Sequence, residues 1–359
     1  MNLTQKKILT SFLAEPETCI EDFDLVYVND VDLSITRETK KDSFVYYKNR
    51  QPLTNKSDLK RIEELVIPPK WKKVRISSLK NGHLQAVGRD DKNRKQYLYH
   101  PKWNELRNKT KFFKMVDFGK SLPKIRAKVQ NDLKQKEWTL TKVLALIITL
   151  LEETHIRIGN SQYEKRNKTY GLTTLRSRHL TKEENKLRIE FTGKRGKEHR
   201  ITIKNKKLIK LVNQCQEIPG WKLFQYFDAF GEKREIDSSQ VNEYIQSISG
   251  NLFTAKDFRT WSASLICFNS LYDFGIEKDV NKNKKNILTS IDFAAKELGN
   301  TRSVCRQYYV HPNIISTYQD STIKPYFNSI DLSTKSNPHF TPSEQSLLKL
   351  FKNYNAFFI

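Results

Sequence analysis

The chain has 359 residues, of which 64 are Lys or Arg and 40 are Asp or Glu, for a formal net charge of +24; 37% of the residues are hydrophobic and 11% aromatic. That length accommodates two domains with cores of their own and excludes a mini-protein that needs staples, while the apolar content excludes a disordered chain. The charge balance is −2 over residues 1–50, +7 over 51–100 and +19 over 101–359. Positive charge spread this way suits a long polyanion gripped over an extended surface, so nucleic acid is the expected partner and an acidic membrane surface is not.

The opening M-N-L-T-Q-K-K lacks the basic start, apolar core and cleavage site of a secretory signal. The longest apolar stretch, Leu140 to Leu151, is interrupted by Thr141, Lys142 and Thr149, and a bilayer takes about 20 apolar residues. A soluble, cytoplasmic protein is expected, nucleoid-associated if bacterial. Cys19, Cys215, Cys267 and Cys305 lie far apart with no C-x-x-C, which predicts reduced thiols rather than a zinc site or disulfides.

Residues 1–104 read as a small β-rich domain of short strands and turns, with runs around Leu25–Val28 and Val74–Ser77. Gln96-Tyr97-Leu98-Tyr99 alternates after the polar turn Asp90–Asn93, as a hairpin would, with Leu98 facing the core. Residues 105–359 read as a mainly helical domain. Thr139 or Thr141 caps a buried helix that runs through Leu151 into His155–Asn160. Leu187–Phe191 and Arg200–Ile203 alternate on either side of the glycine-bearing turn Thr192–His199 and predict a hairpin. Helices follow over Asp257–Leu271, Ile291–Leu298 closed by Gly299, and Thr301–Val310 stopped before Pro312, with the Lys/Asn cluster Lys278–Asn286 expected as a loop. Beyond Ser316 no chemistry is legible.

No G-x-x-x-x-G-K-[ST], G-x-G-x-x-G, H-E-x-x-H or G-x-S-x-G is present, so nucleotide hydrolysis, dinucleotide redox chemistry, zinc proteolysis and the nucleophilic serine elbow lack their usual signals. What remains is cationic: Arg157, Lys194 and Arg259, each in an unusual local context, and the pair Tyr308-Tyr309 at a helix end.

Five motifs in order give these residues a common meaning. They are R-I-G-N at Arg157–Asn160, Y-G-L-T-T-L-R-S-R-H at Tyr170–His179, G-K-R-G-K-E-H at Gly193–His199, K-D-F-R-T-W at Lys256–Trp261, and L-G-N-T-R-S-V-C-R-Q-Y-Y-V-H-P at Leu298–Pro312. With I-P-P-K-W at Ile67–Trp71 and the stretch Asn81–His100, they resemble the type IB DNA topoisomerases in their compact, poxvirus-like and bacterial form. The resemblance implies an α+β protein in which a β-rich N-terminal domain and a helical catalytic domain, of the fold shared with tyrosine recombinases, form a C-shaped clamp on duplex DNA. It implies ATP-independent relaxation through a 3′-phosphotyrosine, a monomer, and no nucleotide, metal or other cofactor.

By the same resemblance Tyr309 is the nucleophile, with Tyr308 the competing choice. Arg157 and Arg259 are the two catalytic arginines, suited as planar permanent cations to the non-bridging oxygens of a phosphorane. Lys194 is the general acid for the departing 5′ oxygen, while Lys197 in the same turn is the rival for that role or else a phosphate contact. Asn300 stands where poxvirus and nuclear members have His and some bacterial members Asn; it can donate a hydrogen bond to phosphate but cannot titrate, and it can also serve simply to end its helix. Gln96 is expected to read base edges, Tyr97 and Tyr99 to contact phosphate or sugar, and Arg89, Arg94 and Lys95 to contact phosphates. His179 and His199 are expected to be structural. A tyrosine recombinase is the alternative, disfavoured by the β-rich start, and a non-enzymatic DNA-binding protein would leave the four clustered motif residues without a reason.

Overall fold

The computed structural model describes residues 3–40, 43–251, 253–332 and 337–354. Packing divides them into two units, one ending at Phe113 and the other running from Lys114 to Tyr354.

The first unit opens with helices α1 (Leu3–Ala14) and α2 (Pro16–Cys19). Strands β1 (Ile35–Lys40), β2 (Ser43–Lys48) and β3 (Gln51–Pro52), helix α3 (Lys56–Glu64), strands β4 (Lys72–Ile76), β5 (Leu84–Arg89) and β6 (Lys95–Tyr99), and helix α4 (Pro101–Phe113) follow. The strands form one antiparallel sheet in the order β3-β2-β1-β4-β5-β6. Ile35, Val74, Ile76 and Ala86 face Ile62 and Ile67, and Phe12, Ile20, Phe23, Leu25, Trp103 and Leu106 form a second cluster. Both sides of β5 are covered, Ala86 on the cluster around Ile35 and Ile62, and Leu84 and Val87 on another with Val28 and Leu33, and Leu98 of β6 packs partly buried against the first.

Two expectations are corrected here. Leu25–Val28 forms no strand: Val26 makes a single bridge to Gly82, and Leu25 is buried under α1 and α4 instead. The stretch also contains a helix at each end and one in the middle, since Asn55 caps α3 through the amides of Ser57 and Asp58 and the apolar face of α1 has Trp103 to cover it.

The second unit is largely helical: α5 (Met115–Asp132), α6 (Leu140–Thr154), α7 (Ser161–Asn167), α8 (Lys206–Gln216), α9 (Ser238–Ser249), α10 (Ala255–Phe274), α11 (Val280–Glu297), α12 (Arg302–Tyr308), α13 (Pro312–Gln319), α14 (Lys324–Asp331) and α15 (Pro342–Lys352). Strands β7 (Leu180–Glu183), β8 (Lys186–Thr192) and β9 (Glu198–Ile203) form an antiparallel sheet that adds one strand to the predicted hairpin. A small pair, β10 (Gln225–Phe227) with β11 (Lys233–Glu235), completes the strands among the described residues. Thr139 caps α6, and Val143 through Ile148 of that helix are all buried. An element apolar on every side belongs at the centre of a core, and α6 packs against α5, α8, α9 and α10.

The Lys/Asn cluster is a further correction. It is not a loop but the first turns of α11, capped by Asp279. Asn283 is buried there, accepting from the Glu277 amide at 3.0 Å and donating to the Glu277 carbonyl at 2.9 Å. The segment after Ser316 closes the core. Glu344 of α15, 1% exposed, takes Arg126 at 2.7 Å and Trp261 Nε1 at 3.1 Å, and Arg126 also reaches Glu152 at 2.8 Å.

Candidate active site

Tyr309 follows α12, a helix capped by Thr301. The Tyr309 amide donates to the Cys305 carbonyl at 2.9 Å. Ser264 Oγ of α10 approaches the Tyr309 carbonyl at 3.2 Å and accepts from the His311 amide at 3.0 Å. The tyrosine is thus pinned to α10 through its backbone, leaving the phenol to its surroundings. Tyr308 is 41% exposed.

Arg259 lies in the first turns of α10, which starts from a reciprocal cap between Thr254 and buried Asp257. Its guanidinium is buried and held by two carbonyls, donating to His155 and, at 2.9 Å, to Leu298. His155 ends α6 in a left-handed conformation with φ 53°, so a sharp helix stop supplies one of the oxygens that aim Arg259. The guanidinium carbon stands 5.4 Å from the centre of the Tyr309 ring.

The segment carrying Arg157 is clamped by the Y-G-L-T-T motif. Leu172 donates to the Arg157 carbonyl at 2.9 Å and Thr173 to the Ile158 carbonyl at 2.8 Å. A Cβ on Gly171 would lie 2.6 Å from Gly159 Cα and run into the Arg157 carbonyl, so the close approach requires glycine there. Arg157 in turn donates to Asn300 Oδ1. Asn300 follows Gly299, whose φ of +62° turns the chain out of α11, and its amide donates to the Ala295 carbonyl at 2.8 Å. Asn300 thus ends its helix with its side chain facing Arg157.

Lys194 and Lys197 are exposed in the loop between β8 and β9, which is closed by Gly193 donating to the Lys197 carbonyl at 2.7 Å.

The electrostatics follow from this assembly. Burial raises the pKa of the Tyr309 phenol, but Arg259, Arg157 and Lys256 outweigh it and the net direction is downward. Although the Lys194 residue is solvent-accessible, protein atoms crowd its amine, and this partial desolvation, then Arg157, lower its pKa, with Tyr309 pulling the other way. Burial and Arg157 also weaken the hold of Arg259 on its proton, yet a guanidinium stays charged at neutral pH. Among the described residues, three buried polar atoms at this point have no hydrogen-bond partner: Arg259 Nε, Asn300 Nδ2 and His155 Nδ1. The first two are donors, and Arg259 lies against the Tyr309 ring. Orphaned buried donors are costly, and an anion with several oxygens is the group that would satisfy them.

The remaining predicted residues lie together on the β5–β6 hairpin of the first unit, except Lys197. Arg94 Nε donates to Asp90 Oδ2 at 2.7 Å and Gln96 Nε2 to the same oxygen at 2.9 Å; Lys95 pairs with Asp30 and Arg89 donates to the Asn93 carbonyl at 2.9 Å. Tyr97, 46% exposed, stacks on half-buried Tyr99 with ring centres 5.9 Å apart. His179 is structural: its Nδ1 accepts from the Arg176 amide at 3.1 Å.

Three residues at the site escaped the sequence reading. Lys256 stands inside K-D-F-R-T-W and could have been noticed as a third cation, since its charge reaches both Tyr309 and Lys194. Nothing in the sequence marks Ser264 or the carbonyl of His155. Among the described residues no group of three or more His, Cys, Asp and Glu converges as metal ligands would, and no helix is long and apolar enough to cross a membrane.

Residues 100–334 match the family described as eukaryotic DNA topoisomerase I, catalytic core, and residues 43–90 match the bacterial DNA topoisomerase IB, N-terminal domain. DNA topoisomerase 1B of Acanthamoeba polyphaga mimivirus is 32% identical over 297 residues, 80% of this chain and 88% of that protein. DNA topoisomerase 1 of Rabbit fibroma virus is 27% identical over 65% of this chain and 71% of that protein. DNA topoisomerase 1B of Vaccinia virus (strain Copenhagen) is 24% identical over 66% and 73% respectively.

Proposed function

The chain belongs to the type IB DNA topoisomerases, and we propose that it relaxes supercoiled duplex DNA by a transesterification at Tyr309 that needs neither ATP nor a metal. The carrying observation is the cluster of a phenol with a lowered pKa and two buried donors, Arg259 Nε and Asn300 Nδ2, that lack partners.

In this reading Tyr309 Oη attacks a DNA phosphorus and loses its proton to solvent, a loss the three cations favour. The P–O5′ bond breaks as the P–O bond to tyrosine forms, leaving a 3′-phosphotyrosine and a free 5′-hydroxyl. Arg157, Arg259 and Asn300 hold the non-bridging oxygens, whose charge grows in the pentacoordinate state. Lys194 gives its proton to the departing O5′, a task helped by the lowering of its pKa toward neutrality. Strand rotation and the reverse sequence restore the duplex. Arg89, Arg94, Lys95, Gln96, Tyr97, Tyr99 and Lys197 serve as DNA contacts, the two units closing as a monomeric clamp on the duplex.

The test is relaxation of supercoiled plasmid in EDTA without ATP, with detergent trapping of protein joined to the 3′ end of the break. Tyr309→Phe is expected to bind DNA and to give neither relaxation nor adduct. Normal relaxation by that variant would assign the nucleophile elsewhere, and an adduct without relaxation would favour a site-specific recombinase.

A further inference from the structure

His199 sits opposite Phe191 in the β8–β9 register, and the two rings stack with centres 4.9 Å apart and planes 8° from parallel. Phe191 belongs to the main core, so the imidazole is anchored on its inner face. Its two edges meet glycines. A Cβ on Gly193 would lie 2.6 Å from His199 Cδ2, and a Cβ on Gly299 would lie 2.5 Å from His199 Cε1. Each of these glycines immediately precedes a residue of the active site: Lys194 follows Gly193, and Asn300 follows Gly299. One imidazole therefore fills the gap between the loop that carries the amine and the turn that carries the amide. Through Asn300 it also bears on Arg157, which donates to that side chain.

Burial, reinforced by Arg157, Lys197 and Arg259, holds the imidazole at a pKa of about 4, so it adds no charge to the site at neutral pH. What it contributes is shape. The loop closes on itself through the Gly193 amide and the Lys197 carbonyl, yet Lys194, Arg195, Gly196 and Lys197 are exposed, and Arg195 and Gly196 both have positive φ. Long, flexible amines deliver protons well only when their base of attachment is set, and a displacement of about 1 Å can cost on the order of 10²-fold in rate.

We propose that His199 is a positioning residue for the general acid, a spacer that sets the β8–β9 loop against the Gly299–Asn300 turn so that Lys194 reaches the leaving 5′ oxygen. The proposal rests on the roles given above to Lys194 and Asn300.

The test uses leaving-group chemistry. In a duplex whose scissile 5′ bridging oxygen is replaced by sulfur, the departing thiolate is stable enough to leave without a proton. Single-turnover cleavage of the oxygen and sulfur duplexes is compared for the full chain, Lys194→Ala, His199→Ala, Gly193→Ala and the double variant His199→Ala/Gly193→Ala. Lys194→Ala is expected to be slow on oxygen and restored on sulfur. His199→Ala should fall about 10- to 100-fold on oxygen and come within about threefold of the unsubstituted chain on sulfur. Gly193→Ala places a methyl against the imidazole, so it should slow the oxygen reaction in the presence of His199 and add little in its absence, a non-additivity expected of residues in contact. Activity on the sulfur duplex also certifies that each variant is folded. Equal losses by His199→Ala on both duplexes, or no loss on either, would overturn the positioning role. Failure of sulfur to restore Lys194→Ala would instead overturn the general-acid assignment on which the proposal stands.

Discussion

The β5–β6 hairpin and the surroundings of Tyr309 both gather positive side chains, but they hold them in opposite ways. On the hairpin carboxylates hold Arg94 and Lys95: Asp90 takes Arg94 and Gln96, and Asp30 takes Lys95 and, at 3.4 Å, Arg75 of β4, while Arg89 rests on the Asn93 carbonyl. Around Tyr309 they are neutral oxygens, the Asn300 amide for Arg157 and two backbone carbonyls for Arg259. Among the described residues none of Arg157, Lys194, Lys256 and Arg259 is ion-paired. A carboxylate fixes a cation but cancels its charge, whereas a neutral acceptor fixes it and leaves the charge to act on what comes next. Groups that must stabilise a transition state are better served by the second arrangement, because they then need not exchange partners during the reaction.

The sharpest way to break this contrast is to bring the hairpin's solution into the active site. Asn300→Asp would keep the shape of the side chain, pair Arg157 with a full negative charge and remove the amide donor. Loss of one such donor costs roughly 10²- to 10³-fold. The added charge puts the expectation for single-turnover cleavage near ~10³, with DNA binding much less affected. A loss under tenfold would mean that the neutrality of Asn300 is not what matters.

The second unit does use carboxylates, but in its interior. Glu344 and Glu152 clasp Arg126, and Glu344 also accepts from Trp261, two residues beyond Arg259 on α10. Breaking a buried pair leaves an uncompensated charge. Glu344→Ala should therefore lower unfolding free energy by about 3 kcal/mol, the lower end of the usual range because Glu152 still faces Arg126. Urea denaturation measures it; an unchanged midpoint would remove α15 from the list of supports for α10.

The sequence motifs foretold which side chains would meet at Tyr309, although they come from α10, α12, the β8–β9 loop and two connecting segments. Local backbone requirements leave local marks: Gly171 against Gly159, Gly299 at a positive φ, Thr139 before an apolar run. What the sequence concealed depends on distant partners. Leu25–Val28 has the residue types of a strand, yet α1 and α4 cover Leu25 and leave one bridge. The Lys/Asn cluster has the composition of a loop, but Asp279 caps it and Ile287 and Ile291 beyond it are buried. Ser264 and Glu344 acquire importance only when α10 meets Tyr309 and α15.

Acid should separate the two regions. Burial and neighbouring arginines hold His155, His179 and His199 in the second unit at about 4, against an ordinary 6.5. Between those values the unfolded chain binds protons that the folded one refuses, so stability falls as pH drops from 6.5 toward 4. On the hairpin the bonds from Lys95 to Asp30 and from Arg94 to Asp90 lower the carboxyl pKa values below 3.8. Those contributions remain until pH falls below that value and is then lost through the lower folded pKa. Burial lowers His83 and His100 of the first unit as well, so hydrogen exchange normalised to intrinsic rates should show both units starting to loosen below pH 6.5, the second by more because three of its imidazoles are held at about 4; a first unit that loosened as much as the second would contradict that difference.

The smallest effect is expected from the converse exchange, Asp90→Asn. Its Oδ1 accepts the amides of Lys92 at 3.1 Å and Arg94 at 2.9 Å, and an asparagine oxygen can keep both. What is lost is the charge that holds Arg94, an exposed pair that contributes little to stability, and one acceptor oxygen for Gln96 Nε2. Stability should hardly change, and DNA affinity at low salt should rise by about two- to fivefold because a repulsive charge leaves the hairpin. The salt dependence decides how. If Arg94 stays on Asp90 in the complex, releasing it adds one phosphate contact and steepens the slope of log affinity against log salt by about 0.9. If Arg94 already exchanges Asp90 for phosphate on binding, affinity rises while the slope stays as it was. The first result would mean that the hairpin withholds part of its charge even on DNA. The second would make its carboxylates placeholders, given up on binding, in contrast to the acceptors around Tyr309, which their cations have no cause to leave.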